Sequence, residues 1–430
     1  RIGDLLFKGA TGTPTDVQDL EGETIGNNKY VEQNVGIFAA SGQRMGIVPS
    51  KDLGSDNTQA GWTSLPKYDN DLIHSLQINK VDITFGKYSK DNIMLYSKNG
   101  TVMNVATPTN AQKIVAGLTT NIKDYSGTPL VASDDDTQNQ VATGTILALA
   151  SGIWSNSTTN MQKFTNAKTS LQNLPSEINI GNVGATLELS ARYKKFGSGA
   201  TAEESFPIAY ASIKKGKVTS FVDKTTARSH GSIIGYAASG GVVTAYGNIE
   251  AKDKFSNILA ATDNTKKLLY KNIGGYATGI DSTVTLGTTK ADTIELKDID
   301  GTTENKRNIA ISATTSTIYG TGAIAADNGT VNLRGTTNID TGTNGALVAL
   351  TGGTVNYSGG TINSNNIYNI TKIDNGEDLN GNKDSHLKVM PFYADNNGSK
   401  VSFEGDTTLN IGSGILIFGE ANEYKSAPLS

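Results

Sequence analysis

The sequence predicts an all-β fold: a right-handed parallel β-helix with coils of about 23–25 residues, interrupted by loop and short helical insertions. Three observations carry this reading. First, the stretch 322–363 is one unit written twice. Ala323-Ile-Ala-Ala, a turn at Asp327-Asn328-Gly329, and Thr330-Val-Asn-Leu are answered by Ala346-Leu-Val-Ala, Gly352-Gly353 and Thr354-Val-Asn-Tyr. Val331 to Val355 is 355 − 331 = 24 positions, and Gly335 to Gly359 is also 24. Second, apolar and small polar residues alternate within each unit, the pattern of strands whose side chains point to two faces. One unit has too little apolar surface for a core and must stack on its neighbours. Third, hydrophobic residues make up 37% of the chain and charged residues 18%, and Gly, Thr, Asn and Ser fill the deficit, with 48 glycines against 9 prolines. Thr suits a pleated surface, and Gly and Asn accept the left-handed backbone of tight corners.

Taken in order, residues 1–34 are irregular and polar, with an apolar run at Ile2 and Leu5-Leu6-Phe7. Val35-Gly-Ile-Phe-Ala-Ala-Ser-Gly is the first half-coil, and 49–75 is a loop outside it. Ile78 to Phe85 and Met94 to Val105 resume the pattern, and 106–143 interrupts it. Thr145-Ile-Leu-Ala-Leu-Ala-Ser-Gly matches Ala346-Leu-Val-Ala-Leu-Thr-Gly-Gly. Met161, Phe164, Leu171 and Leu174, stopped by Pro175, predict a helix within 155–176. Ile208-Ala-Tyr-Ala-Ser is answered by Ile234-Gly-Tyr-Ala-Ala-Ser, and Val218 with Phe221 by Val243 with Tyr246. Phe255, Leu259, Leu268 and Leu269 predict a second short helix in 252–273, after which coils run from Ile280. Phe392-Tyr-Ala-Asp-Asn-Asn-Gly restates Ala325-Ala-Asp-Asn-Gly, which puts Asp327 and Asp395 at equivalent corners. Val355 to Val401 is 46 positions, so a degenerate coil, broken by a loop at 374–386, is expected between them. Some fifteen coils at about 4.8 Å make a rod on the order of 70 Å long. Val331, Val355, Ile324, Leu347 and Val401 are expected inside, with Thr and Asn outside.

A net charge of −4, with no basic stripe, argues against nucleic acid as a partner. The absence of cysteine excludes disulfides and thiolate chemistry. No run of about 18 apolar residues suggests a membrane helix. The opening at Arg1 and the end at Ser430 read as the bounds of a piece of a longer protein, with signal peptide and any anchor outside it.

Catalytic groupings are sparse. The three histidines, His74, His230 and His386, have no metal-ligand spacing, and no nucleophile motif surrounds any serine. His230 reads as a corner residue. The corner aspartates are ordinary turn chemistry. Asp134, Asp135 and Asp136 are a weak calcium candidate beside the plainer reading of a solvated loop. Trp62, Tyr68, Tyr125 and Trp154 all fall beside interruptions of the coils and are the candidate ligand-binding residues; the alternative is that each pins its loop to the rod. No cofactor or metal is expected, and no enzymatic activity.

The motifs Asn34-Val-Gly-Ile-Phe-Ala-Ala-Ser-Gly, the Asn-Gly-Thr-Val units and Gly-Gly-Thr-Val-Asn-Tyr-Ser-Gly-Gly-Thr resemble passenger domains of bacterial type V autotransporters. They are most similar to the large fusobacterial outer-membrane adhesins of the RadD kind. The resemblance covers Val35 to Ile411 through scaffold motifs. It implies export through an outer-membrane β-barrel outside this chain, display at the bacterial cell surface, and adhesion to a surface protein or glycan of another bacterium or a host cell. The whole of 1–430 then reads as a β-helical passenger fragment. A polysaccharide lyase or hydrolase on the same scaffold, or a non-binding spacer, are the other expectations.

Overall fold

The computed structural model describes residues 2–8, 31–32, 34–40, 75–84, 89–98, 101–105, 144–152, 176–181, 186–191, 194–196, 203–228, 231–252, 272–297, 304–341, 345–364, 391–395, 397–411 and 417–419. Within them the chain is a parallel β-helix. Almost every strand pairs in parallel with the equivalent strand of the next coil, because one coil leaves its backbone donors and acceptors open along the stacking direction and the next satisfies them.

Three sheets form the walls. Sheet A stacks ten strands: Ile2–Lys8, Ser75–Thr84, Val102–Val105, Glu177–Ile180, Lys217–Ser220, Val242–Tyr246, Thr283–Thr288, Thr330–Leu333, Thr354–Tyr357 and Lys400–Phe403. Sheet B stacks Val35–Ala40, Ile93–Lys98, Ile146–Ser151, Ile208–Ile213, Ile233–Ala238, Asn272–Thr278, the second half of Thr315–Ala326, Leu347–Leu350, Phe392–Ala394 and Ile417–Gly419. Sheet C stacks Thr186–Ser190, Lys224–Arg228, Asn248–Lys252, the first half of Thr315–Ala326, Thr336–Asp340, Gly360–Ser364 and Thr407–Ile411. The chain winds B, A, C and back to B. The twelve-residue strand Thr315–Ala326 runs unbroken from C into B.

Inside, residues stack in columns. Ile178, Val218, Val243, Val284, Val331 and Val355 form one on sheet A, all fully buried. Ala251, Ile318, Ile339 and Ile362 form another on sheet C. On sheet B, Ala150, Ser212, Ala237, Ala277, Ala325 and Ala349 stack in a column of small side chains only. Tyr210 crosses the interior. Its hydroxyl lies 2.8 Å from both Ser220 Oγ of sheet A and Thr225 Oγ1 of sheet C, which satisfies three buried hydroxyls at once.

The corner from sheet B to sheet A repeats a tight turn. Asp327 and Asn328 (φ 51° and 65°), Thr351 and Gly352 (50° and 78°) and Ser239 and Gly240 (53° and 78°) occupy the left-handed region, the mark of a type I′ turn. Gly329 N donates to Ala326 O at 2.8 Å and Gly353 N to Leu350 O at 2.9 Å, closing each turn. The closing residue must be glycine, because a Cβ on Gly353 would stand 2.2 Å from the Ala325 carbonyl oxygen of the coil beside it.

Several expectations change. Among the described residues sheet B has ten rungs rather than the fifteen coils expected, because successive rungs are often separated by more than 25 residues. Sheet A residues Ser220 and Ala245 are 25 apart and Leu333 and Tyr357 are 24 apart, but Leu286 and Leu333 are 47 apart. Val401 pairs directly with Val355, so no degenerate coil fills the 46-residue step. The Ile2 run is a strand of sheet A. The coil after Thr283–Thr288 carries an antiparallel hairpin, Lys290–Lys297 with Glu304–Ile311, which periodicity did not signal. Ile324 faces outward, and Ala323 and Ala325 take the inside. Tyr210 pairs with Gly235 rather than with Tyr236. Asp395 continues the register of Leu350 and Ala326, one residue before the position of Asp327, because its corner is one residue longer. Segments 106–143 and 374–386 lie outside the described residues, as do 49–74 and 155–175. Of 252–273, Lys252 ends one strand and Asn272 opens the next; the interior, with its helix-predicting leucines, lies outside the described residues. Among the described residues every regular element is a strand.

Candidate interaction face

The outer faces of the three sheets differ. Sheet A carries the expected polar ladder, where Asn356 Nδ2 donates to Asn332 Oδ1 at 2.8 Å and Asn332 Nδ2 to Thr285 Oγ1 at 3.1 Å. Sheet C aligns Glu188, Thr226 and Glu250 in one column. Lys224 sits 2.6 Å from Glu250, a structural ion pair at a partly exposed site.

Sheet B carries apolar residues on both faces, with Lys98, Ser151 and Thr278 also on the outward one. Its outward column holds Phe38 and Tyr96 in rungs one and two, then Leu149 and Ala211. Tyr236 and Tyr276 occupy rungs five and six, followed by Ile324 and Val348. The register carries Tyr393 to rung nine, and the strand Ile417–Gly419 forms rung ten. Beside it runs an aliphatic column, Val35, Ile93, Ile146, Ile208, Ile233 and Ile273, none of which belongs to the core cluster.

Stacking at the coil spacing brings the rings together. Phe38 and Tyr96 have centroids 5.2 Å apart, and Tyr236 and Tyr276 meet edge to face at 5.5 Å. Phe38 is 56% exposed and Val35 37%, while Leu149 (8%), Ala211 (1%) and Ile233 (5%) are buried although they belong to the outward columns. Burial raises the Tyr96 phenol above its ordinary range, against a hydrogen bond with Ser151, and burial plus the neighbouring Tyr276 raises that of Tyr236. Both present neutral rings at physiological pH. Such a face offers apolar area and shape rather than reactive groups.

The residues singled out from sequence, Trp62, Tyr68, Tyr125 and Trp154, lie outside the described residues, and so do Asp134, Asp135 and Asp136 and the three histidines. The described structure therefore brings none of them to a site. Among the described residues no group of three or more His, Cys, Asp or Glu could hold a metal ion, and no helix is long and apolar enough to cross a membrane. The sheet B face went unread because its alternation is apolar on apolar, which hides which positions point outward.

Fold and face together define a β-helical scaffold with one apolar-aromatic wall. Comparison with protein families, with curated proteins and with solved structures returns no match for this chain.

Proposed function

We propose that this chain is a surface-displayed adhesin segment of an autotransporter passenger, which attaches a bacterium to other bacteria or to host cells by contact and performs no catalysis. The observation that carries this reading is the outward Phe/Tyr/aliphatic column of sheet B. Apolar side chains held at fixed spacing on a rigid wall bind a partner without paying to order a loop. The autotransporter-like scaffold motifs support the same reading, with export through a β-barrel beyond this chain and a surface protein or glycan as the partner. A carbohydrate-active enzyme would need carboxylates gathered on one outer wall; the described walls carry Thr and Asn on sheet A, mainly Ile and Tyr on sheet B, and on sheet C Glu188 with Glu250, the second paired with Lys224.

Beads coated with the chain, offered to a panel of bacterial and host cells, test this. Adhesion is expected, lost after either glycosidase or protease treatment of the cells, and several-fold weaker for the Tyr236→Glu, Tyr276→Glu double variant. A folded chain that adheres to nothing would overturn the adhesin reading and support a spacer.

A further inference from the structure

We propose that the corner between sheets B and A at residues 213–217 and 239–241 binds an acidic polysaccharide, whose carboxylate or sulfate groups are held by Lys214, Lys215 and Lys217. The inference goes beyond the apolar contact of sheet B and stands without it.

The backbone of the turn is the first observation. Lys214 and Lys215 have φ of 52° and 61°, the left-handed pair that the equivalent corners give to Asp327-Asn328, Ser239-Gly240 and Thr351-Gly352. Gly216 N closes the turn on Ile213 O at 2.9 Å. Asn, Asp and Gly suit this backbone, and long side chains do not. Two lysines in succession work against the fold here, and local strain of that kind clusters where residues serve contact. The turn is also fixed in place. Lys214 N and Lys215 N donate to Ala238 O and Ser239 O of the next coil at 3.2 and 3.1 Å.

Charge is the second observation. Lys214, Lys215 and Lys217 are all exposed, and among the described residues no ion pair or side-chain hydrogen bond engages any of them. Elsewhere in this chain of net charge −4, Lys224 pairs with Glu250 and Arg334 with Glu404. The flanking carboxylates are Glu177, one rung below Lys217 on sheet A, and Asp281, in the corner two rungs above the turn. The stretch 153–175, which leaves the corner one rung below, contains no Asp or Glu.

The shape of the corner is the third. Directly above the lysines the chain narrows to Ser239-Gly240-Gly241, with Ser239 exposed and both glycines buried. Gly240 N donates to the buried Ser282 Oγ at 2.9 Å, which fixes this floor. A Cβ on Gly240 would stand 3.1 Å from Cγ and 3.8 Å from Cε of Lys215, so glycine leaves that stem room to lie along the rod. On the far side stands Ile280, 69% exposed. A sugar acid matches all three parts. The lysines meet its anionic group, Ser239 a ring hydroxyl, and Ile280 the C–H face. A bare phosphate would leave Ser239 and Ile280 without a contact.

Calorimetric titration of the full chain with heparin, polysialic acid and neutral dextran tests this. Saturable binding to an acidic polymer, weakened by salt, is expected, with none to dextran. The sulfated and carboxylated polymers tell the two anionic groups apart. Lys214→Asn with Lys215→Gly should lower the affinity about tenfold or more and raise the melting temperature, because the turn gains residues suited to its backbone. Lys400→Gln, five rungs up the outward column of Lys217, should change neither. No saturable binding to either acidic polymer up to about 1 mM would overturn the proposal. An unchanged affinity in the lysine double variant would do the same, as would equally tight binding to phosphatidylserine vesicles or single-stranded DNA. Tyr236→Glu with Tyr276→Glu should leave polysaccharide affinity intact; its loss there would move the site to sheet B. Polysaccharide binding by a chain whose beads adhere to no cell type would uphold the corner and remove only the adhesin reading.

Discussion

Tyr210 illustrates how single residues are held. Its ring fills the interior while Gly235 occupies the equivalent place one coil on, and Ser220 and Thr225 meet its hydroxyl where the adjacent coils place Ile180, Ala245, Leu187 and Ile249. The Tyr210→Phe variant leaves two buried hydroxyls without that partner and is expected to cost about 1–3 kcal/mol in chemical denaturation. An unchanged midpoint would show that the hydroxyls re-pair with each other. Burial pushes the Tyr210 phenol up to about 12, against the hydrogen bonds from Ser220 and Thr225. The unfolded chain ionises this group near pH 10 and the folded chain does not, so stability is intact below about pH 10 and falls by roughly 3 kcal/mol between pH 10 and 12. Tyr210→Phe should flatten that part of the pH–stability curve. At the corner, burial acts to raise the Asp395 carboxyl, but the hydroxyl of Ser399 and the amides of Thr351 and Asn397 outweigh it and hold it below the usual carboxylate range. Its contribution is present above about pH 4 and disappears as pH falls through the lowered value. The melting temperatures of wild type and Asp395→Ala should therefore converge as pH falls through that lowered value.

At the scale of the strand and its corner, close approach decides. The turn from sheet B to sheet A brings the backbone of one coil against the carbonyls of its neighbour, which is why Gly241, Gly329 and Gly353 each close their turn where a Cβ would meet oxygen at 2.1, 2.4 and 2.2 Å. Gly353→Ala is expected to lower the melting temperature by several degrees and raise protease cleavage near this corner; no change would mean the coils have room to part. The same scale explains the register errors. On sheet A, Thr330-Val-Asn-Leu and Thr354-Val-Asn-Tyr alternate polar out and apolar in, and the spacing of 24 from Val331 to Val355 was legible and correct. On sheet B, both faces carry apolar residues. Matching Tyr210 to Tyr236, or Ile324 to Leu347, slips by one residue, and one residue reverses every side chain between inside and outside. Ile324 was misplaced for this reason.

For the whole molecule, a solenoid adds stability coil by coil. Deleting residues 330–353 removes one strand from each sheet and joins Gly329 to Thr354 across an equivalent corner. The shortened chain is expected to keep its far-UV β signature and melt cooperatively within a few degrees of the parent. Loss of cooperative structure would sink the view that adjacent coils are interchangeable here.

The sequence alone determined that the chain stacks short parallel strands in coils of 24–25 residues, because Gly-Asn corners and Thr-Val-Asn alternation are local signals that need no neighbour to interpret. It also determined the polar wall of sheet A. Only the tertiary structure decided which residues share a wall across insertions of unequal length, since Tyr276 and Ile324 are 48 positions apart in sequence yet adjacent in space. It likewise decided that sheet B carries apolar residues on its outside, because outward and inward are properties of the closed coil and not of any strand taken by itself.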